Sequence, residues 1–210
     1  MFNDKDLDKL RDEVSHELGD FRFRHVLGVE KEVVRIGMLY ARDKIDILRA
    51  AALLHDITKE LNTEKQLQIC KKNGIIISNS QKMTPKIFHA ITAAAIIPQK
   101  YPLFNEKEII DAVRWHTTGR ENMSICEKII FLADYIEENR KFKDCITLRN
   151  YFWNTNPEKM TEEERLEHLD RTLVNSFDMT IKQLIDEGMP IDICTAEARN
   201  FLVCETIKTR

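Results

Sequence analysis

The apolar residues of this chain recur at intervals of three and four positions over most of its length. Between residues 24 and 40, for example, Val26, Val29, Val33 and Ile36 follow this spacing, which places side chains on one face of an α-helix. No turn signal such as Asn-Gly joins two runs of alternating apolar and polar residues, as a β-hairpin would require. The pattern predicts an all-α protein.

Residues that favour helix ends divide this pattern into segments. Capping boxes, in which two side chains satisfy backbone amides at a helix start, mark several beginnings. The pairs that fit are Thr63 with Gln66, Ser124 with Glu127, Thr161 with Glu164 and, more loosely, Asn105 with Glu108. Thr84 followed by Pro85 is a further start signal. The predicted helices lie near residues 4–18, 21–41, 46–57, 63–73, 85–98, 106–117, 124–138, 143–152, 162–187 and 195–207.

One polar stretch interrupts the helical pattern in the second half of the chain. Residues 154–164 read NTNPEKMTEEE, a composition typical of a joint between helices. This stretch predicts a helical bundle over residues 1–153 and a C-terminal helical extension over 154–210. The chain of 210 residues, 43% of them hydrophobic, is long enough for the extension to pack on the bundle as one compact unit.

Composition excludes several classes of partner. The formal net charge of −3 provides no basic field for nucleic acid. The opening MFNDKDLDKL lacks the apolar core of a signal peptide, and no apolar stretch approaches the roughly 20 residues that span a bilayer. The five cysteines are dispersed without a C-x-x-C pair, which favours reduced thiols. We therefore expect a cytoplasmic protein that binds neither membranes nor nucleic acid.

Several ionisable residues fall within apolar segments, where burial without a partner is unfavourable. In AALLHDITKEL (51–61), for example, an apolar run ends in a histidine, an aspartate and a nearby lysine. The six residues in such settings are His25, His55, Asp56, His89, His116 and Asp134. The other two histidines, His16 and His168, lie among charged neighbours and are expected to be solvated.

Each of these six residues taken alone has an ordinary structural explanation. A single histidine on an apolar face is more often a hydrogen-bonded core residue than a ligand, and Asp134 alone would be satisfied by Arg114 or Arg140. Six such groups together exceed what one core usually satisfies, and a metal pair within a helical bundle would bind all of them. The mixed nitrogen and oxygen donors suit iron, manganese, zinc or cobalt. From the residues alone, the metal and structural interpretations are equally open.

The order of these residues resembles the H…HD…D signature of the HD-domain metal-dependent phosphohydrolases. The residues that match are His25, His55, Asp56 and Asp134. His89 and His116 match the additional histidines of members that bind two metal ions. This resemblance implies an HD-domain helical bundle for the core of the chain.

The local sequence is similar to that of the YqeK-type subfamily, the symmetrical diadenosine tetraphosphate hydrolases, over nearly the whole chain. The similar stretches are RHVLGVEK (24–31), AALLHDITKEL (51–61), RWHTTGR (114–120), EKIIFLADYIEENRKF (127–142) and EARNFL (197–202). Two positions depart from the expected pattern, since Ala93 stands in place of a glycine and Glu138 in place of a proline.

The resemblance implies two divalent or transition-metal ions, with iron favoured over manganese, cobalt or zinc. One ion is assigned to His25, His55, Asp56 and Asp134, and the second to His89 and His116 with Asp56 as the bridge. A carboxylate suits the bridging position because its two oxygens can each face one ion. A hydroxide shared by the ions would then attack phosphorus.

The same resemblance implies groups that bind the phosphate chain. Lys59 and Arg120 are assigned to the leaving group, so that the predicted catalytic residues are Asp56, Lys59 and Arg120. Thr118 and Gly119, in the turn before a predicted helix start, would contact the phosphates together with these cations. Arg140 is a further candidate for this role.

The implied function is symmetrical cleavage of dinucleoside polyphosphates into two nucleoside diphosphates. The nucleotide substrate is the expected partner, the diphosphate product is expected to bind as well, and a homodimer is an open possibility. Two alternatives remain. The same centre would serve an HD-type nucleotidase or phosphatase acting on mononucleotides, and a nucleotide-binding regulatory protein would retain the fold without the reaction.

Overall fold

The computed structural model describes residues 2–208. Residue 1 of the predicted bundle and residues 209 and 210 of the predicted C-terminal extension lie outside the described residues. Over this range the chain forms α-helices joined by turns and short 3-10 segments, without a strand. The helices are α1 (Asp4–Ser15), α2 (Asp20–Tyr40), α3 (Ile45–Leu54), α4 (Thr63–Lys72), α5 (Asn79–Met83), α6 (Phe88–Lys100), α7 (Lys107–Trp115), α8 (Ile125–Ile136), α9 (Lys143–Asn154), α10 (Glu162–Asp186) and α11 (Ile193–Lys208). The all-α prediction is confirmed.

Two predicted capping boxes are present. Ser124 accepts a hydrogen bond from the backbone N–H of Glu127, whose side chain accepts from the backbone of Ser124 in return. Thr161 and Glu164 form the same reciprocal pair at the start of α10. Because both pairs satisfy amides that have no partner within the helix, they fix where α8 and α10 begin.

The other two predicted capping boxes, Thr63 with Gln66 and Asn105 with Glu108, are wrong, although the helices begin within one residue of the predicted positions. Asn62, rather than Thr63, caps α4 by accepting from the backbone N–H of Lys65, and Gln66 instead donates to the backbone oxygen of Thr58 at 2.8 Å. At α7 the cap position is Glu106, without a side-chain hydrogen bond. A neighbouring polar residue competes for the cap position in each case, and sequence spacing does not decide between them.

The segment before α6 also differs from the prediction. Pro85 begins a 3-10 turn that ends at Ile87, and the α-helix starts only at Phe88. The short helix α5 was not predicted, since its five residues NSQKM contain no apolar periodicity. A capping box formed by Ser78 and Gln81 stabilises it.

One hydrophobic core runs through the molecule from α1 to α11. Helices α2, α3, α7 and α8 pack against one another at its centre. Leu173 and Phe177 of α10 belong to the same cluster, and the ring of Phe177 lies 4.6 Å from that of Phe131 on α8. The C-terminal helices therefore pack on the bundle, while a boundary between residues 153 and 154 stays a prediction.

The prediction that His168 is solvated is wrong. Its side chain lies in the core with 7% exposure, stacked on Phe152 at a ring distance of 5.3 Å. Its Nε2 lies 2.9 Å from Thr155 Oγ1 and 3.0 Å from the Phe152 carbonyl oxygen, and burial lowers its pKa. His16 is exposed, as predicted. No described helix is long and apolar enough to cross a bilayer.

Candidate metal centre

The six predicted ligands, which are far apart in the chain, converge at one end of the central helices. His25 lies in the second turn of α2, His89 in the first turn of α6 and Asp134 near the end of α8. His55 and His116 directly follow the last residues of α3 and α7. Because these helices pack on one core, their ends bring the side chains into contact.

Asp56 lies at the centre of the group and directs its two oxygens to different sides. Its Oδ2 is 3.7 Å from His25 Nε2 and 3.5 Å from His55 Nε2. Its Oδ1 is 3.4 Å from His89 Nε2 and 3.9 Å from His116 Nε2. Each oxygen therefore faces two imidazoles, as a bridging carboxylate would require, and the bridging role of Asp56 stays a prediction.

The ligand atoms form two overlapping sets, each compact enough to hold one ion. In one set His25, His55 and Asp134 lie within 4.8 Å of one another, and in the other His55, Asp56 and His116 do so. Nε2 of His89 lies 2.9 Å from Nε2 of His116 and 3.4 Å from Asp56 Oδ1, so it borders the second set. The assignment of each residue to a particular ion stays a prediction.

Two of the ligand atoms lack a hydrogen-bond partner among the described residues although they are buried. These atoms are His55 Nε2 and Asp56 Oδ1, whereas His25 Nε2 lies 3.0 Å from Asp134 Oδ1. A buried polar atom without a partner is destabilising, and such atoms are rare unless water or an ion satisfies them. Both are metal-donor atoms and face the same space. The centre therefore fits a divalent metal.

Two of the imidazoles are oriented by carbonyl groups at helix ends. The Nδ1 atoms of His55 and His116 lie 2.7 Å from the backbone oxygens of Ala52 and Val113 respectively. These carbonyls belong to the last turns of α3 and α7, where no further amide is available within the helix. Because Nδ1–H donates to them, Nε2 carries the lone pair that points into the centre.

His25 is oriented by a carboxylate instead. Its Nδ1 lies 3.1 Å from Glu137 Oε1, and Glu137 is 1% exposed. The other oxygen, Oε2, accepts from the backbone N–H of Asn139 at 2.7 Å. Glu137 was not predicted from the sequence, although its place three residues after Asp134 in ADYIE puts both carboxylates at the same helix end.

Burial keeps three of the imidazoles neutral. It lowers the pKa of His116 to about 4 and lowers the pKa values of His55 and His89 as well. Neutral imidazole is the form that coordinates metal. These histidines therefore present free lone pairs at neutral pH.

For Asp134, Asp56 and His25, neighbouring charges outweigh the effect of burial on the pKa and favour the charged form. Burial disfavours the carboxylate of Asp134, but the Arg140 guanidinium and His25 outweigh it and hold its pKa well below the usual range. Burial also disfavours the carboxylate of Asp56, but the positive charge around it, including the Lys59 ammonium, outweighs this effect and keeps its pKa low. For His25, hydrogen bonds to carboxylates overcome burial and raise its pKa to about 9.

Three cations surround the ligands. Arg22 Nη1 donates to Asp56 Oδ2 at 2.7 Å, and Arg140 Nη2 donates to Asp134 Oδ1 at 2.6 Å. Lys59 Nζ lies 3.1 Å from His89 Nε2. Of these, Arg22 was not predicted, although it lies three residues before His25 and so shares its helix face.

The predicted phosphate-binding turn after α7 is only partly in contact with the centre. Thr117 Oγ1 lies 3.1 Å from His89 Nε2, whereas Thr118 is buried and donates to the Gly119 carbonyl oxygen at 3.0 Å. Gly119 has φ +63°, and a Cβ there would lie 2.6 Å from the Phe177 ring. Its conformation and this close packing both require glycine.

Arg120 is engaged away from the ligands. Its Nε and Nη2 donate to the two carboxylate oxygens of Glu127 at 2.6 and 3.0 Å. Glu127 is 1% exposed, so this bidentate pair neutralises a buried charge. Contact between Arg120 and a phosphate stays a prediction, and it would require exchange of this partner.

Three similar proteins bear the name bis(5'-nucleosyl)-tetraphosphatase, symmetrical. The one from Halalkalibacterium halodurans is 29% identical, over 91% of this chain and 94% of its own length. The Bacillus subtilis protein is also 29% identical, over 90% and 94%. The Staphylococcus aureus protein is 27% identical over 93% of each chain.

A solved structure supports the same relationship. A protein from Clostridium acetobutylicum, described as a predicted HD superfamily hydrolase involved in NAD metabolism, superposes with a TM-score of 0.82. It is 33% identical and covers 98% of this chain and 99% of that one. The family model of the HD domain matches residues 22–139, a range that contains all six convergent candidate ligands. This chain belongs to the HD-domain family.

Proposed function

We propose that this protein is a metal-dependent hydrolase that cleaves dinucleoside polyphosphates, such as diadenosine tetraphosphate, symmetrically into two nucleoside diphosphates. The observation that carries the proposal is the position of Asp56, whose two oxygens face separate sets of imidazoles. The full set of ligands, together with the symmetrical tetraphosphatases that resemble nearly the whole chain, supports it.

Bound divalent ions would supply two effects at this centre, since they lower the pKa of water and stabilise charge on phosphoryl oxygens. The chain itself provides the geometry. Asp56 holds both sides of the centre, while Glu137 and the carbonyls of Ala52 and Val113 keep the imidazole lone pairs directed inward. Preorganised ligands of this kind avoid reorganisation when the substrate arrives.

Lys59 is the cation that we place on the phosphate chain. Its side chain is half-buried beside His89, and burial lowers its pKa although Asp56 acts in the opposite direction. A partly desolvated ammonium interacts more strongly with a phosphate oxygen than a solvated one does. Arg140, which donates to Asp134, and the Thr118–Arg120 turn complete the proposed phosphate contacts.

For the metal we propose iron. The support is the donor set, four imidazoles and two carboxylates, which suits iron, manganese, cobalt or zinc better than calcium or copper(I). Elemental analysis of protein purified without oxygen would identify the metal. A count of two ions per chain, mostly iron, is expected, and a protein with no transition metal after reconstitution would contradict the two-metal proposal.

The reaction is tested by its products. Incubation with diadenosine tetraphosphate should yield two ADP molecules per substrate, with one oxygen from labelled water on the terminal phosphate of one ADP. Asp56→Asn provides the inactive control, since the amide has only one oxygen that can bind metal. ATP plus AMP as the main products would exclude symmetrical cleavage.

The same assay, run with mononucleotides as well as diadenosine tetraphosphate, separates the alternatives. An HD-type nucleotidase would release inorganic phosphate from mononucleotides and leave the tetraphosphate intact. A regulatory nucleotide-binding protein would bind nucleotide without turnover in the presence of metal. Assembly as a homodimer stays a prediction, which light scattering of the purified protein tests.

A further inference from the structure

A cavity of about 490 Å³ opens between the C-terminal helices and the segments that carry two of the ligands. One wall is the Pro85–Ile87 turn before α6 together with Thr117 and Thr118 after α7. The opposite wall is the end of α10 and the turn that follows it, including Leu184 and Met189. We call this cavity the C-terminal pocket.

The C-terminal pocket adjoins the metal centre. Thr117 lines the pocket, and its Oγ1 lies 3.1 Å from Nε2 of His89. Ile87 lies two residues before His89, and Thr118 lies two residues after His116. A molecule whose phosphate reaches the metal centre can therefore extend into this pocket along the same wall.

The lining of the C-terminal pocket suits a neutral ring rather than a second phosphate group. Apolar side chains, among them Ile87, Leu184 and Met189, line both walls. The charged residues of the lining are one cation, Lys86, and two carboxylates, Glu187 and Asp192. Because the carboxylates outnumber the cation, the lining disfavours an anion. Apolar walls with a few polar groups, in a volume between about 300 and 1,000 Å³, are typical of small-ligand sites.

From these observations we infer that the C-terminal pocket binds one nucleobase of the nucleotide substrate while the attached phosphates lie at the metal centre. The inference rests on the proposed function, because a dinucleoside polyphosphate carries a flat, uncharged base, attached through ribose, at each end of its phosphate chain. It assigns a role to the C-terminal helices, which contribute none of the six metal ligands.

A hydrogen bond connects α5, which leads into one wall, to Asp192 in the other wall. Gln81 Nε2 on α5 donates to Asp192 Oδ2, in the turn before α11, at 3.1 Å. The other oxygen of Asp192 accepts from the backbone N–H of Cys194 at 3.0 Å. A pocket formed before the ligand arrives requires less ordering upon binding.

The test compares two substitutions on the same helix. Leu184→Trp fills the C-terminal pocket, whereas Leu166→Trp, also on α10, lines a different cavity of the same volume, about 490 Å³. For each variant, the Kd values of ADP and of pyrophosphate are measured with the metal-loaded protein. Metal content and KM for diadenosine tetraphosphate are measured in parallel.

Leu184→Trp should raise the Kd of ADP and the KM of the dinucleotide at least about tenfold. It should leave the Kd of pyrophosphate and the metal content unchanged, because these depend on the metal centre alone. Leu166→Trp should behave as the unsubstituted protein in every measurement. If Leu184→Trp fails to fold, Leu184→Ala decides the matter, since loss of apolar contact should weaken ADP but not pyrophosphate.

A folded Leu184 variant with unchanged ADP affinity would overturn the inference. An equal loss of ADP and pyrophosphate binding would overturn it as well, because the effect would then be on the metal centre. Failure of the proposed function is a separate result, visible as the absence of two ADP products from the unsubstituted protein.

Discussion

Glu137 provides a direct test of how the metal centre is held. Its carboxylate serves two donors, His25 Nδ1 at 3.1 Å and the backbone N–H of Asn139 at 2.7 Å. Glu137→Gln keeps the size of the side chain but leaves a single oxygen acceptor for these two donors. Loss of such an orienting partner typically lowers metal affinity 10- to 100-fold, which corresponds to about 1.4–2.8 kcal/mol.

The assay is titration of the metal-free protein with Mn²⁺, a redox-stable probe, in competition with a chelator. Glu138→Gln is the matched control, because the neighbouring carboxylate is 61% exposed and pairs with Lys31 at the surface. Gly28→Ala should act in the same direction as Glu137→Gln, since its new Cβ would lie 2.1 Å from Glu137 Oε2. Equal Mn²⁺ affinity in Glu137→Gln and Glu138→Gln would refute the orienting role.

Further substitutions test other parts of the molecule. Asp56→Ala should lower metal content at both positions, as elemental analysis would show, because each of its oxygens faces one set of imidazoles. Lys59→Met should keep its metal but lose roughly a hundredfold in kcat for diadenosine tetraphosphate; unchanged kcat would remove Lys59 from the phosphate site. Arg120→Met should reduce the free energy of unfolding by about 1–2 kcal/mol, because it leaves the buried carboxylate of Glu127 unpaired. The loss stays moderate since the side chain of Arg120 is one-third exposed. Urea titration measures this loss, and adding Glu127→Gln should restore part of it. Phe177→Ala should cost about 3–5 kcal/mol in the same titration, because its ring is fully buried against α8.

The helices could be predicted from the sequence because most of them bury a broad apolar face. Helix α5 could not, since it has five residues and no buried side chain. His168 shows the limit of judging burial from neighbours in the chain. Its charged neighbours on α10 project to other faces, while His168 itself points toward Phe152.

The candidate ligands could be predicted from the sequence because ionisable groups in apolar helix segments are conspicuous. Its supporting groups were not. Arg22 and Glu137 lie in polar stretches at helix ends, where a charged residue is ordinary, and only the packing of α2 against α8 brings them to the centre. The ion pair between Arg120 and Glu127 was also not predicted. Glu127 already had a role in the sequence as a capping residue of α8, and so its contact with Arg120 was not expected.

The carbonyls that orient His55 and His116 also affect the net charge of the centre. A carboxylate at either position would orient an imidazole equally well, but it would add a negative charge beside the substrate. Backbone carbonyls bring only a dipole, so that Glu137 is the one anion among the three groups that orient imidazoles here. Two loaded divalent ions would then outweigh the nearby carboxylates, and the centre would attract a polyphosphate rather than repel it.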